Sequence, residues 1–375
     1  MYNPKEIKEA YDEIEHGKAR MSAIRTAWEK ADEQGDVPYQ IFFRLEMCHE
    51  SCFYGDGMDM LVIFPEILAL MDQHPDAPVT EFQQLIYADS MDHVLWVYKW
   101  LLDHCVDFYQ IPLEDCLNFF EDAKKRFLAY GYNLRPWYLA KYNLYVKIDA
   151  DKAAEAYYEF EKLPRDFNSD CEACERNTEI SFYLKRGDVE RAAALSEAIE
   201  DFTLTCKDKW SAWLRMKKSF MHYYMKEKKF DKALEYCRMM ERNMNAESEY
   251  KRWDDFLACY AYLDLGKALK IYKEHWKEWL KWRNPADEFR FCINVCRFFR
   301  ELREHGEDGT GTEKTLVKLP YDSDFPLYQE SGQYETAVLY DYYYRRAKEL
   351  AEKFDTRNRA EGYGKELEEA LCMTR

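Results

Sequence analysis

The sequence predicts an all-α fold, a right-handed α-solenoid of antiparallel helix hairpins. Three observations predict it: apolar residues return every three or four positions along most of the chain, turn-forming residues are scarce, and one short motif recurs at intervals of roughly 40 residues. A chain of 375 residues exceeds what one compact core usually serves, so two domains or an elongated array are expected. With 13 Gly and 11 Pro, turn residues run at roughly half their average usage, which favours helices over a sheet-rich fold. Apolar residues make up 47% of the chain, with 22 Phe, 30 Tyr and 10 Trp, enough to fold despite 33% charge.

Periodicity and polar turn clusters delimit the elements in order. Helix pairs are expected at 4–16 with 19–33, 39–54 with 58–73, and 82–108 with 112–130. Further pairs follow at 135–147 with 150–163, 171–186 with 188–203, 208–227 with 230–244, and 247–264 with 266–281, and then a single helix at 286–304. The pattern breaks at His305-Gly306-Glu307-Asp308-Gly309-Thr310-Gly311-Thr312. After Ser331-Gly332 a long helix is expected to end near Phe354, where Asn358 tolerates the left-handed backbone that closes a helix, and a last helix at 361–371 caps the array. The organisation reads as residues 1–130, helical hairpins continuous with the solenoid; 131–303, the repeats; 304–332, an irregular loop insertion; and 333–375, the long C-terminal helix and cap.

The recurring motif is Asp151-Lys152-Ala153-Ala154-Glu155, Glu190-Arg191-Ala192-Ala193-Ala194, Asp231-Lys232-Ala233-Leu234-Glu235, Gly266-Lys267-Ala268-Leu269-Lys270 and Glu335-Thr336-Ala337-Val338-Leu339. Its alanines stand 39, 41, 35 and 69 residues apart, the last close to two periods. Nine residues before three of them is a tyrosine, Tyr183, Tyr224 and Tyr328, and Gly187 and Gly332 mark intervening turns. This resembles the tetratricopeptide repeat over about residues 135–355, in a degenerate form: the Trp-Leu-Gly start and closing Pro are mostly absent. The resemblance implies that the small residue on the second helix of each pair, Ala192, Ala233 and Ala268 among them, is buried where the paired helices cross, and that an aromatic on the first helix fills the gap beside it.

Composition excludes several function classes. A net charge of −17 disfavours nucleic acid and anionic membranes, because both are bound through Lys and Arg. The N-terminus enters a charged amphipathic stretch with no apolar signal region, and the most apolar run, Leu61 to Leu70, is broken by Pro65 and Glu66, so no export or membrane segment is expected. Twelve scattered Cys without an even framework suit reduced thiols and a cytoplasmic setting.

Candidate chemistry is thin. Cys171-Glu172-Ala173-Cys174 has the spacing of half a zinc site or a redox pair and could draw on Cys206 or a distant His. No second ligand pair follows at typical spacing and no strand precedes the motif, so the expectation is no metal and no cofactor. Cys48 with Cys52, and Cys292 with Cys296, stand at i, i+4 and are expected to pack in the core. Gly306 to Lys314 lacks the Gly-Lys-Ser/Thr ending of a phosphate loop, and neither a His-Glu-x-x-His pattern nor a Gly-x-Ser-x-Gly elbow occurs. The chain is therefore read as no enzyme.

Registering each repeat on its alanine puts a set of first-helix residues on the concave face: Arg135, Tyr138, Tyr142, Asn177, Arg215, Lys218, His222, Tyr250 and Trp253. None of the registered positions is acidic, so a basic and aromatic groove is expected in an otherwise acidic chain. Aromatic and Arg residues anchor peptide recognition by area and by pairing carboxylates, so the leading reading is a scaffold or adaptor that binds a protein or an acidic or C-terminal peptide. A second reading is a ligand-gated regulator similar to peptide-sensing proteins of the same repeat family. DNA output fits poorly there, since Asp and Glu outnumber Lys and Arg in residues 1–80. A third is an acidic inhibitor, such as an immunity protein, that neutralises a basic toxin.

Overall fold

The computed structural model describes residues 2–207, 209–244, 253–280, 284–306 and 315–372, and among these described residues the chain is all-helical apart from two three-residue strands. It forms two compact units, one of Met1–Ser169, Trp282–Asp287 and Lys353–Gly362, the other of Asp170–Lys281, Glu288–Glu352 and Tyr363–Arg375. No helix among the described residues is long and apolar enough to cross a membrane.

The first unit runs through α1 (Pro4–Asp12), α2 (Lys18–Gln34), α3 (Val37–Tyr54), α4 (Met58–Gln73), α5 (Ser90–His104), α6 (Leu113–Ala129), α7 (Arg135–Tyr145) and α8 (Ala150–Lys162). Successive helices pack on each other, and α3 also packs on α5, and α5 on α7. Their inward faces supply one core that includes Tyr11, Phe43, Phe64, Tyr98 and Phe127, all at most 2% exposed. Local signals start these helices: Asn3 and Asp149 cap α1 and α8, and a reciprocal capping box between Asp89 and Asp92 starts α5. That box is why α5 begins at Ser90 and not near residue 82. The expected first turn is instead a separate fold of chain, closed by Gln83 Oε1 accepting from the backbone N–H of Thr80 at 3.1 Å. The unit is completed by residues far along the chain: Phe354 meets Tyr109 edge-on at 5.6 Å, and Arg357 donates to the carbonyl of Val106 at 2.7 Å. Gly362 lies so close to the Lys147 carbonyl that a Cβ has no room there.

The second unit holds α9 (Glu172–Lys185), α10 (Val189–Glu200), α11 (Lys209–Lys226), α12 (Phe230–Asn243), α13 (Trp253–Leu263), α14 (Leu265–Trp279), most of α15 (Pro285–His305) and α16 (Thr336–Asn358), and nearly all of α17 (Gly362–Cys372). Consecutive helices from α9 to α14 pack as neighbours, and α9 also lies against α11. Ala192, Ala233 and Ala268 are fully buried, as the crossing-point reading requires, and Ala153 of the first unit is 5% exposed.

The spacing of Tyr to Ala has a backbone cause. In the α9–α10 turn the N–H of Asp188 bonds the carbonyl of Tyr183 and that of Gly187 bonds Leu184, with Gly187 left-handed at φ 80°. The α11–α12 turn repeats this with Lys229 to Tyr224 and Lys228 to Met225, Lys228 taking the left-handed place at φ 54°. The residue before each alanine then lays its cation over the tyrosine of the previous helix: Arg191 over Tyr183 at 4.0 Å, Lys232 over Tyr224 at 5.3 Å and Lys267 over Tyr260 at 4.2 Å. Lys152 over Tyr145 at 5.5 Å does the same in the first unit.

The fifth copy of the motif departs from this pattern. Thr336 replaces the cation, Ala337 is only half-buried, and Tyr328 is 44% exposed and off any helix. In place of a first helix, β1 (Leu316–Lys318) pairs antiparallel with β2 (Gln333–Glu335), turning Val317 and Tyr334 inward. The expected irregular insertion thus contains β1, while β2 takes the first residues of the segment expected to be the long helix, and between the two strands Tyr321 enters a buried hydroxyl cluster with Tyr272 at 2.5 Å, which in turn meets Tyr343 at 2.7 Å. The glycine-rich stretch 307–314 lies outside the described residues. At the far end, α16 runs on to Asn358, and Arg359 at φ 53°, not Asn358, takes the left-handed position.

Candidate functional site

The nine expected groove residues divide between the units. On α7, Arg135 is an internal group, 8% exposed: its Nη1 donates to the carbonyls of Phe160 at 2.9 Å and Leu163 at 2.6 Å, capping the end of α8, and its guanidinium covers the Phe160 ring. Tyr142 is likewise internal, edge-on to Tyr157, and burial pushes its phenol up to about 12. Tyr138 stays half-exposed beside Trp137.

In the second unit Asn177 bridges two helices, its Nδ2 donating to the carbonyls of Ala173 at 3.1 Å and Ala212 at 3.0 Å. Arg215, Lys218 and His222 stand at i, i+3 and i+7 along one face of α11, with Arg215 and His222 exposed. They do not make a purely basic surface. Asp255, 3% exposed on α13, reaches between them, with Oδ1 3.0 Å from His222 Nε2 and Oδ2 3.5 Å from Lys218 Nζ. The registration covered every third or fourth residue of each helix and so passed over Asp255, two residues beyond Trp253. Trp253 stacks flat on His275 at 3.7 Å. Tyr250 lies outside the described residues.

Beside Arg215 is a cluster of thiols. Cys171 is the residue before the first turn of α9, Cys174 lies in that turn, and Cys206 sits on the connection from α10 to α11. Their three Sγ atoms all lie within 4.8 Å of one another, each residue half-buried, and Cys174 and Cys206 are 3.7 Å apart. Arg215 Nη2 donates to Cys174 Sγ at 3.4 Å. The hydrogen bond from Cys174 pulls the Cys171 thiol down to about 5 and pushes Cys174 upward in turn. The α9–α10 hairpin explains the assembly: two antiparallel helices carry the chain away and back, so residue 206 returns to the end of α9 from which it left. The three cysteines were visible in the sequence, but a separation of two helices is not the spacing of a finger or ribbon.

A second sulfur pair, Cys52 Sγ and His104 Nε2 at 3.0 Å, has the geometry of a nucleophile and base. Its chemistry runs the other way. Burial pushes Cys52 up to about 12 and lowers His104, so both groups are held neutral and no thiolate forms at ordinary pH. Cys48, Cys292 and Cys296 are fully buried as core residues.

Compared with models of known protein families and with characterised proteins, the chain matches none.

Proposed function

We propose that this chain is a non-enzymatic, cytoplasmic scaffold that binds a protein or peptide through first-helix faces of tetratricopeptide-like hairpins stacked as segments of a right-handed solenoid. The observation that carries the reading is the run of hairpins from α9 to α14: small residues at the crossings let paired helices approach closely, and α9 and α11, the first helices of successive pairs, lie side by side. That arrangement leaves α11 presenting Arg215, Lys218 and His222 along one face, with Trp253 supplying a flat aromatic surface on α13. Asp255 offsets part of the positive charge. The ligand is therefore a peptide segment whose carboxylate pairs with Arg215 and whose backbone donors and acceptors meet the polar groups beside it, in preference to a uniformly acidic tail.

Capture of partners from native lysate, followed by affinity measurement on the purified pair, tests this. Arg215→Glu should weaken the partner at least tenfold, about 1.4 kcal/mol, and His222→Ala should weaken it to a lesser degree. Both variants should keep their helical circular dichroism, because both side chains are exposed, while His222→Ala, which takes one partner from the buried Asp255, should lower the melting temperature slightly. A partner that binds both variants as it binds the parent chain sinks the α11 face as the interface.

A further inference from the structure

We propose that Cys171, Cys174 and Cys206 form a zinc site, in which three thiolates hold one Zn²⁺ and a water completes the tetrahedron. Zinc takes thiolate ligands at about 2.3 Å, and the edge of such a tetrahedron is about 3.8 Å. The Cys174–Cys206 separation is 3.7 Å, and all three sulfurs already lie within 4.8 Å of one another, so rotation of the side chains is enough to close around a cation. The half-buried setting leaves an open side for the fourth ligand, whereas copper(I) needs only three thiolates and a dry pocket.

The surroundings fit the charge of the loaded site. Binding places all three sulfurs on the ion as thiolates, any proton still held by a thiol passing to solvent, with no change of oxidation state. Three thiolates and Zn²⁺ carry a net charge of −1. The Arg215 guanidinium, already donating to Cys174 Sγ at 3.4 Å, offsets that charge and orients the ligand. The donors sit on well-held chain. Cys171 and Cys174 belong to the start of α9, where the N–H groups of Cys174 and Glu175 bond the Cys171 carbonyl at 2.9 and 3.1 Å. The stretch leading to Cys206 is folded back on α10 by Thr203 Oγ1 donating to the Ala198 carbonyl at 3.0 Å and by the N–H of Leu204 donating to the same carbonyl at 2.7 Å. The ion would clasp the start of α9 to the α10–α11 connection and fix the base of the face that carries Arg215.

The test uses the full chain, reduced and freed of metal by chelator, titrated with Co²⁺ and then with Zn²⁺. The expected result is thiolate-to-cobalt charge-transfer absorption that saturates at one equivalent, is abolished by one equivalent of Zn²⁺, and is accompanied by a rise in melting temperature with added Zn²⁺. Cys206→Ser should lower zinc affinity at least a hundredfold with helical circular dichroism retained, and Cys372→Ser, at an exposed thiol elsewhere, should leave it unchanged. If Cys206→Ser loses its helical signal, Arg215→Ala serves in its place, with an expected loss of about tenfold in affinity. The proposal is overturned by the absence of a thiolate-to-cobalt band, by a band that titrates with undiminished affinity in folded Cys206→Ser, or by mass spectrometry of the natively purified chain showing two of the three sulfurs joined as a disulfide.

Discussion

Lys228 holds a left-handed backbone at φ 54° that a side chain with a Cβ adopts at a cost of about 1–2 kcal/mol, and it does so because the α11–α12 turn needs that conformation to bond Lys229 to the Tyr224 carbonyl. The equivalent place in the α9–α10 turn is Gly187. Lys228→Gly should accordingly stabilise the protein by about 0.5–1 kcal/mol after the added flexibility of the unfolded chain is counted, seen as a higher urea midpoint at unchanged slope. A second residue shapes the response to acid. His93 is buried against Tyr87, its Nδ1 accepts from Gln83 Nε2 at 3.0 Å, and burial drives its imidazole down from 6.5 to about 3. Below pH 6.5 the unfolded chain takes a proton that the folded chain refuses. The stability His93 contributes is therefore complete above pH 6.5 and drains away as pH falls toward 3, at about 1.4 kcal/mol per pH unit. His93→Gln should flatten the fall in unfolding free energy between pH 6.5 and 5; an unchanged slope would assign the acid sensitivity to other groups.

At the scale of elements, the Lys/Arg-Ala pair does two things at once, the alanine letting two helices cross and the cation lying over the tyrosine that starts the turn. The contrast between Ala233 and Ala337 makes this measurable. Ala233 is fully buried, and Ala233→Leu should overpack the α11–α12 crossing and cost about 1–3 kcal/mol. Ala337 follows a strand and is half-buried, so Ala337→Leu should shift stability by less than about 0.5 kcal/mol. Equal losses at the two positions would mean that the alanine is not a crossing residue. The same contrast shows what was legible in the sequence. Most helix ends and hairpin partners could be read because apolar periodicity and turn residues are local signals, and four copies of the motif lie in hairpins. The fifth misled because Glu335-Thr336-Ala337 matches in letters while lacking the cation. The α11 face was legible as a stripe, but its charge was not, because Asp255 comes from a different helix. The thiol cluster was legible as residues and not as a site, because only the returning α9–α10 hairpin brings Cys206 back to Cys171 and Cys174.

At the scale of the whole molecule, an array in which each repeat touches only its neighbours could be cut between hairpins and keep the stability of what remains. The first compact unit does not allow this, since it is assembled from residues up to 169 together with Trp282–Asp287 and Lys353–Gly362. Asn284 Nδ2 donates to Asp107 Oδ2 at 3.1 Å, Arg357 Nη1 donates to Cys116 Sγ at 3.4 Å, and Phe354 is fully buried in edge-on contact with Tyr109. These contacts join positions some 180 to 250 residues apart, and no periodic pattern announces them, because they depend on where the chain returns and not on what any one helix looks like. A fragment of residues 1–169 keeps α1 to α8 and most of the core centred on Phe43 and Phe64, so it should remain helical. It leaves Val106 and Asp107 without their returning partners and uncovers the Tyr109 ring, which should cost several kcal/mol from apolar exposure and broken hydrogen bonds combined. Circular dichroism melting should show the fragment unfolding well below the intact chain, and a peptide of residues 350–364 added in excess should raise its melting temperature. A fragment as stable as the intact chain would show that the returning segment adds nothing to this unit, and that neighbour-to-neighbour packing alone sustains it.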